Sequence, residues 1–148
     1  MSLPSQHILR PDHGALVEEY HVLDNNEERL EWLMERGPSH MPVPTEFVTQ
    51  ERRVPGCLSG LWLHAVVTDD LCFFSAKSES AMVQGIVSFI CDLYSNRTAR
   101  EVLTIGDSLV QVLALERLLS ATRKRAVEST VAYITHTARA ALLQEASR

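Results

Sequence analysis

Hydrophobic positions change period twice along the chain. From Ala15 to Leu23 they recur weakly at helical spacing. Asn25 or Asn26 then caps a helix over Glu27–Arg36, with Leu30, Leu33 and Met34 as its apolar stripe and Trp32 beside it. Gly37-Pro38 stops that helix, and Pro38, Pro42 and Pro44 keep the next segment extended or turned as far as Glu51-Arg52-Arg53. From Leu61 to Thr68 the period falls to two. Leu61, Leu63, Ala65 and Val67 line one face of a strand, and Trp62, His64 and Val66 the other. Asp69-Asp70 reads as a hairpin turn and Leu71–Ala76 as the return strand.

The period then returns to helical. Ser78 or Ser80 caps a helix running to about Tyr94 that is apolar nearly all round, so it belongs in the core. Gly85 inside it costs about 1 kcal/mol relative to alanine, a cost that makes sense if another backbone packs closely there. Thr98-Ala99-Arg100-Glu101 has the pattern of a capping box and starts a short helix through Leu103. Another short helix is predicted over Ser108–Leu115. Ser120 caps a long final helix whose stripe is Val127, Val131, Ile134, Ala138 and Leu142. Helices, a hairpin and more helices predict an α+β fold rather than a parallel sheet.

A chain of 148 residues is long enough for one domain with a real core, and 45% hydrophobic against 22% charged residues separates it from disordered chains. The expectation is a single domain over 1–148, with the polar stretch 1–12 as a loose tail. No apolar run reaches spanning length and the N-terminus has no apolar signal core, so a soluble cytoplasmic protein without membrane contact is expected. Charge is uneven: residues 1–51 carry a net −7 and residues 52–148 a net +2. An acidic chain is a poor partner for phosphate backbones, so nucleic acid is not expected as a ligand. Arg123-Lys124-Arg125 is the only basic cluster, and it reads as a solvated helix face.

The three cysteines are Cys57, Cys72 and Cys91. Their odd number argues against a disulfide framework, and their spacing against structural zinc. No nucleophile elbow, zinc-protease motif or phosphate-binding glycine loop is present. Cys72 and Cys91 lie in apolar runs and read as small core residues. Cys57 follows Pro55-Gly56 at a turn before a strand, where it is either a chance residue or a presented thiol. Arg52 or Arg53, folded back, would favour its thiolate. His64 reads as a strand histidine rather than a base for Cys57, and Trp62 as core.

The segment Arg53-Val54-Pro55-Gly56-Cys57-Leu58-Ser59-Gly60-Leu61-Trp62 resembles the Arg-Val-x-Gly-Cys-x-Ser-x-Val-Trp signature of SufE-type sulfur acceptors. These form the SufE/CsdE-like family of domains associated with iron–sulfur metabolism. Three further stretches resemble that family in order: Ser78 to Ile86, Leu93 to Glu101, and Leu119 to Arg123. Glu31-Trp32 through Gly37 is similar to the family's early helix, less closely. There are departures. Leu58 stands where the family usually has glutamine, and Gly60 where it has a polar or charged residue. Ala99 and Ala121 replace prolines, Lys77 an acid, and Glu79 an aspartate.

The resemblance implies a small antiparallel sheet of about three strands packed against helices, similar to the U-type scaffold fold. Its third strand would come from about Phe47 to Val54. It also implies transpersulfidation: Cys57 takes sulfane sulfur as a persulfide from a SufS-type cysteine desulfurase, stimulates that enzyme and delivers sulfur to a downstream iron–sulfur assembly scaffold. Arg123, in the first turn of the last helix, would act as helper or partner contact. No cofactor or metal is implied in this chain, since the pyridoxal phosphate belongs to the desulfurase. The chain would be a desulfurase accessory rather than a stand-alone enzyme, as a monomer or homodimer. Two alternatives stand beside this: a regulatory binding partner that carries no sulfur, and an iron–sulfur scaffold, which would need several converging cysteines.

Overall fold

The computed structural model describes residues 13–38 and 41–147; the tail expected over 1–12 lies outside them. Its centre is the hairpin of β1 (Leu61–Thr68) and β2 (Leu71–Ser78), in register from Thr68 opposite Leu71 to Leu61 opposite Ser78. Asp69 and Asp70 both take positive φ, 51° and 64°, which matches the right-handed twist of the flanking strands. Burial fades along β1, from Leu61 at 0% exposed to Val67 at 47%. At the covered end both faces are buried, Leu61 on one and Trp62 on the other.

The third strand is not where the sequence placed it. β3 is Arg97–Thr98, paired antiparallel with β2 through Cys72 opposite Arg97 and Leu71 opposite Thr98, so the strand order is β1-β2-β3. The stretch from Phe47 to Val54 instead falls in an arm with two short 3-10 turns, Thr45–Phe47 and Gln50–Arg52. Pro44 opens the first turn and sets its φ at −57°. Side chains help hold this arm to β1. Trp62 Nε1 donates to the Thr49 carbonyl at 2.7 Å, and the Phe47 ring stacks on His64 at 4.5 Å. β3 became possible because Asn96, at φ 63°, turns the chain sharply and donates its N–H to the Cys72 carbonyl at 2.8 Å.

Helices α1 (His13–His21) and α2 (Asn26–Arg36) precede the sheet, and α3 (Ala81–Tyr94) packs on it. Asn25 caps α2 by accepting from the Glu28 N–H at 2.9 Å, and Ser80 caps α3 by accepting from the Val83 N–H at 3.3 Å. Eleven of the fourteen α3 residues are buried, each large side chain contributing about 1.5–3 kcal/mol. Gly85 lets the α2 backbone approach: a Cβ there would lie 2.5 Å from the Leu33 carbonyl oxygen.

After β3 come α4 (Ala99–Ile105), α5 (Ser108–Val112), a 3-10 turn Leu115–Leu118 and the 26-residue α6 (Ala121–Ala146). Thr98 Oγ1 accepts from the Glu101 N–H at 3.1 Å, so the expected cap forms. Ala99 and Ala121 are the first residues of their helices, a position where proline and alanine both fit. The helix expected over Ser108–Leu115 breaks early, because Ala114 enters the left-handed region at φ 52°. On α6, Val127, Ile134 and Ala138 are buried. The architecture is α+β, and among the described residues no helix is long and apolar enough to cross a membrane.

Candidate functional site

The loop before β1 is closed at its neck by the Val54 N–H donating to the Leu61 carbonyl at 2.8 Å. Arg53 Nη2 donates to the Leu58 carbonyl at 3.3 Å, bracing the tip from within. On the far side, Gly60 N–H donates to Glu79 Oε1 at 2.9 Å, and Glu79 N–H donates back to the Gly60 carbonyl at 3.0 Å. Gly56 takes φ +82°, which a residue with a side chain adopts only under strain. This turn sends residues 57 and 58 in different directions. Leu58 projects outward, 78% exposed, while Cys57 is half-buried and packs against the core.

Two residues of α6 face this turn. The Arg125 side chain lies across Gly56, with its Cδ 3.1 Å from where a Cβ would stand. Ser129, one turn further along the helix, is near enough to the Cys57 thiol to favour its ionised form. Burial pushes that thiol above its ordinary value; Arg125, Ser129 and Arg53 oppose that shift. A recess of about 10 Å³ opens beside the sulfur, lined by Cys57, Leu58, Ser59, Val83, Arg123 and Ala126. That is room for a water at most. A reagent reaching this thiol must therefore come from outside rather than sit in a pocket of its own.

Cys57 and Arg123 thus meet at one recess. Arg123 Nη1 contacts Met82 Sδ at 3.2 Å, which fixes the guanidinium over the start of α3. Of the two upstream arginines, Arg53 turns back to the loop, whereas Arg52 stacks over Phe47 with its guanidinium carbon 4.6 Å from the ring centroid. His64 stacks on the same Phe47 ring and belongs to the arm, not to the sulfur. Cys72 and Cys91 are 0% and 1% exposed, and burial raises both thiols. Sequence reasoning missed Arg125 and Ser129. The basic run 123–125 read as a solvated face, and Arg123 and Arg125 are exposed; Arg125 also lies across Gly56, which makes the room.

The family model described as "SufE: Fe-S metabolism associated domain" matches residues 14–138. The cysteine desulfuration protein SufE of Wigglesworthia glossinidia brevipalpis is 25% identical over 132 residues, 87% of this chain and 91% of that protein. SufE-like protein 1, chloroplastic/mitochondrial, of Arabidopsis thaliana is 27% identical over 116 residues, 78% of this chain. This chain spans only 31% of the length of that plant protein. Among solved structures, a hypothetical protein from Thermus thermophilus has the same fold, with a TM-score of 0.69, 19% identity, and coverage of 90% of this chain and 98% of that one. The chain belongs to the SufE family of domains associated with iron–sulfur metabolism.

Proposed function

We propose that Cys57 carries sulfur between a cysteine desulfurase and iron–sulfur cluster assembly. The Cys57 thiolate attacks the outer sulfur of the desulfurase persulfide. A new S–S bond forms at Cys57, the old S–S bond breaks, and the desulfurase cysteine leaves as a thiolate. No net oxidation occurs, and a second displacement by an acceptor thiol returns Cys57 to its starting state. The pyridoxal phosphate that generates the sulfur stays with the desulfurase, so this chain needs no cofactor. Arg123, at the lip of the recess, contacts the partner or helps hold the sulfur.

The observation that carries this reading is the contrast among the cysteines. Cys57 is half-buried on a braced loop beside guanidinium groups, whereas Cys72 and Cys91 are sealed in the core. A persulfide oxidises readily, so a carrier needs a sulfur that is reachable yet sheltered. The scaffold alternative lacks support: among the described residues, no three His, Cys, Asp or Glu side chains converge on a metal-sized site.

One observation favours the non-carrying partner as a second reading. Leu58, 78% exposed beside Cys57, is a contact residue that would serve binding without chemistry. Mass spectrometry separates the two. After incubation with a desulfurase and cysteine, a carrier gains one sulfur atom on the Cys57 peptide and Cys57→Ser gains none. A wild-type protein that stimulates the desulfurase yet never gains sulfur is a modulator, and normal loading of Cys57→Ser rules out the assignment.

A further inference from the structure

Three arginines surround the Cys57 loop, and they are not equivalent. Arg53 is engaged with the Leu58 carbonyl. Arg123 is engaged with Met82 Sδ at the outer lip of the recess. Arg125 alone crosses the backbone immediately before the cysteine, packed on the face of Gly56 that has no side chain. Ser129 lies four residues further along α6, one helical turn away, so both side chains leave the helix on the same face. Next to Arg125 on the helix, Ala126 lines the recess beside the sulfur with its small side chain.

The geometry points to Arg125, with Ser129 one turn behind it, as the pair that holds the Cys57 sulfur, both as a thiolate and as the persulfide anion that follows it. The physical reason lies in what each group offers. Ser129 supplies a single O–H donor for the sulfur. Arg125 supplies a delocalised charge that stays protonated at any working pH and sits against a backbone able to accommodate it. A persulfide ionises more readily than a thiol, so the loaded form is the anion that meets this counter-charge across the working pH range. The other charged groups on the loop do not compete. Arg53 acts in the same direction more weakly, and the Glu79 carboxylate is engaged by the Gly60 N–H. Arg123 is left to face outward, where a partner protein docks.

This assignment deepens the carrier reading and rests on it for its purpose, but its test needs no desulfurase. The rate of alkylation of the Cys57 peptide by iodoacetamide is followed against pH in the free, full-length protein, with circular dichroism checking the fold. Arg125→Gln should move the midpoint upward and slow alkylation about three- to tenfold below the midpoint. Arg125→Lys should recover part of the loss, and Ser129→Ala should shift the midpoint in the same direction by less. Arg123→Gln is the comparison. If it shifts the midpoint as much as Arg125→Gln, or if Arg125→Gln leaves the midpoint in place, the assignment is overturned. Persulfide loading is read separately. A protein that shows the shift but never takes up sulfur keeps the cradle and loses the carrier; one that loads without the shift keeps the carrier and loses the cradle.

Discussion

Glu79 and Gly60 close the Cys57 loop on each other, each donating its backbone N–H to the other residue, at 3.0 Å and 2.9 Å. The exchange works because Gly60 has no side chain: a Cβ there would meet the Glu79 carboxylate and stand 2.7 Å from the Trp62 ring. Both residues depart from the family pattern, and the fold makes them one departure rather than two. Glu79→Ala should therefore loosen the loop, with faster hydrogen exchange at Gly60 and a loss of about 1 kcal/mol by urea unfolding. Gly60→Ala should cost about 1–3 kcal/mol. The double variant should cost less than the sum, because the carboxylate that collides is gone. Additive losses would show that the two residues act independently.

Gly85 predicts a larger effect. A Cβ there would lie 2.5 Å from the Leu33 carbonyl oxygen and 2.9 Å from the Met34 nitrogen, both backbone atoms of α2. Backbone yields less easily than a side chain. Despite alanine's better helix propensity, Gly85→Ala should destabilise the protein by about 1–3 kcal/mol. A denaturation midpoint equal to or above wild type would mean that α2 can shift freely.

Arg36 and Asp92 form an ion pair of 2.7 Å between α2 and α3, in which the Asp92 side chain is only 4% exposed. The guanidinium also lies 5.1 Å from the centre of the Trp32 ring. Arg36→Gln leaves the buried carboxylate without this cation. The expected loss is about 1–3 kcal/mol, measured by chemical denaturation. A loss below about 1 kcal/mol would place the pair among ordinary surface bridges.

His64 should make the arm before Cys57 acid-sensitive. Burial and Arg52 lower its pKa, and Glu46 opposes them. The folded state thus prefers the neutral ring. Its stabilisation is present above the ordinary histidine value and is lost as pH falls through the lowered one. His64→Phe keeps a ring against Phe47 and removes the proton. Between about pH 7.5 and about pH 5, the variant should lose less stability than wild type in urea titrations. Equal losses in both proteins would assign the acid sensitivity to other groups.

Local pattern was enough for most of the elements. The two-residue period of Leu61–Thr68, the all-round apolarity of Ala81–Tyr94 and the caps at Asn25, Ser80 and Thr98 are properties of neighbouring residues, and short-range physics decides them. Cys57 was also legible as the cysteine set apart, because it follows Pro55-Gly56 while the other two lie in apolar runs. The third strand was not. The turn after α3 brings Arg97–Thr98 to the β2 edge, while Phe47–Val54 lies along β1 without forming a strand, and both outcomes are long-range choices.

The surroundings of the sulfur were equally out of reach of local pattern. Arg125 lies 69 positions after Gly56, and nothing near either residue encodes their meeting. Packing brought them together once α6 lay across α4, α3 and β1. Periodicity tells which face of a helix is buried. Only the assembled core decides what the edge of that face will touch, because a side chain at the boundary is directed by its neighbours in space rather than by its neighbours in the chain.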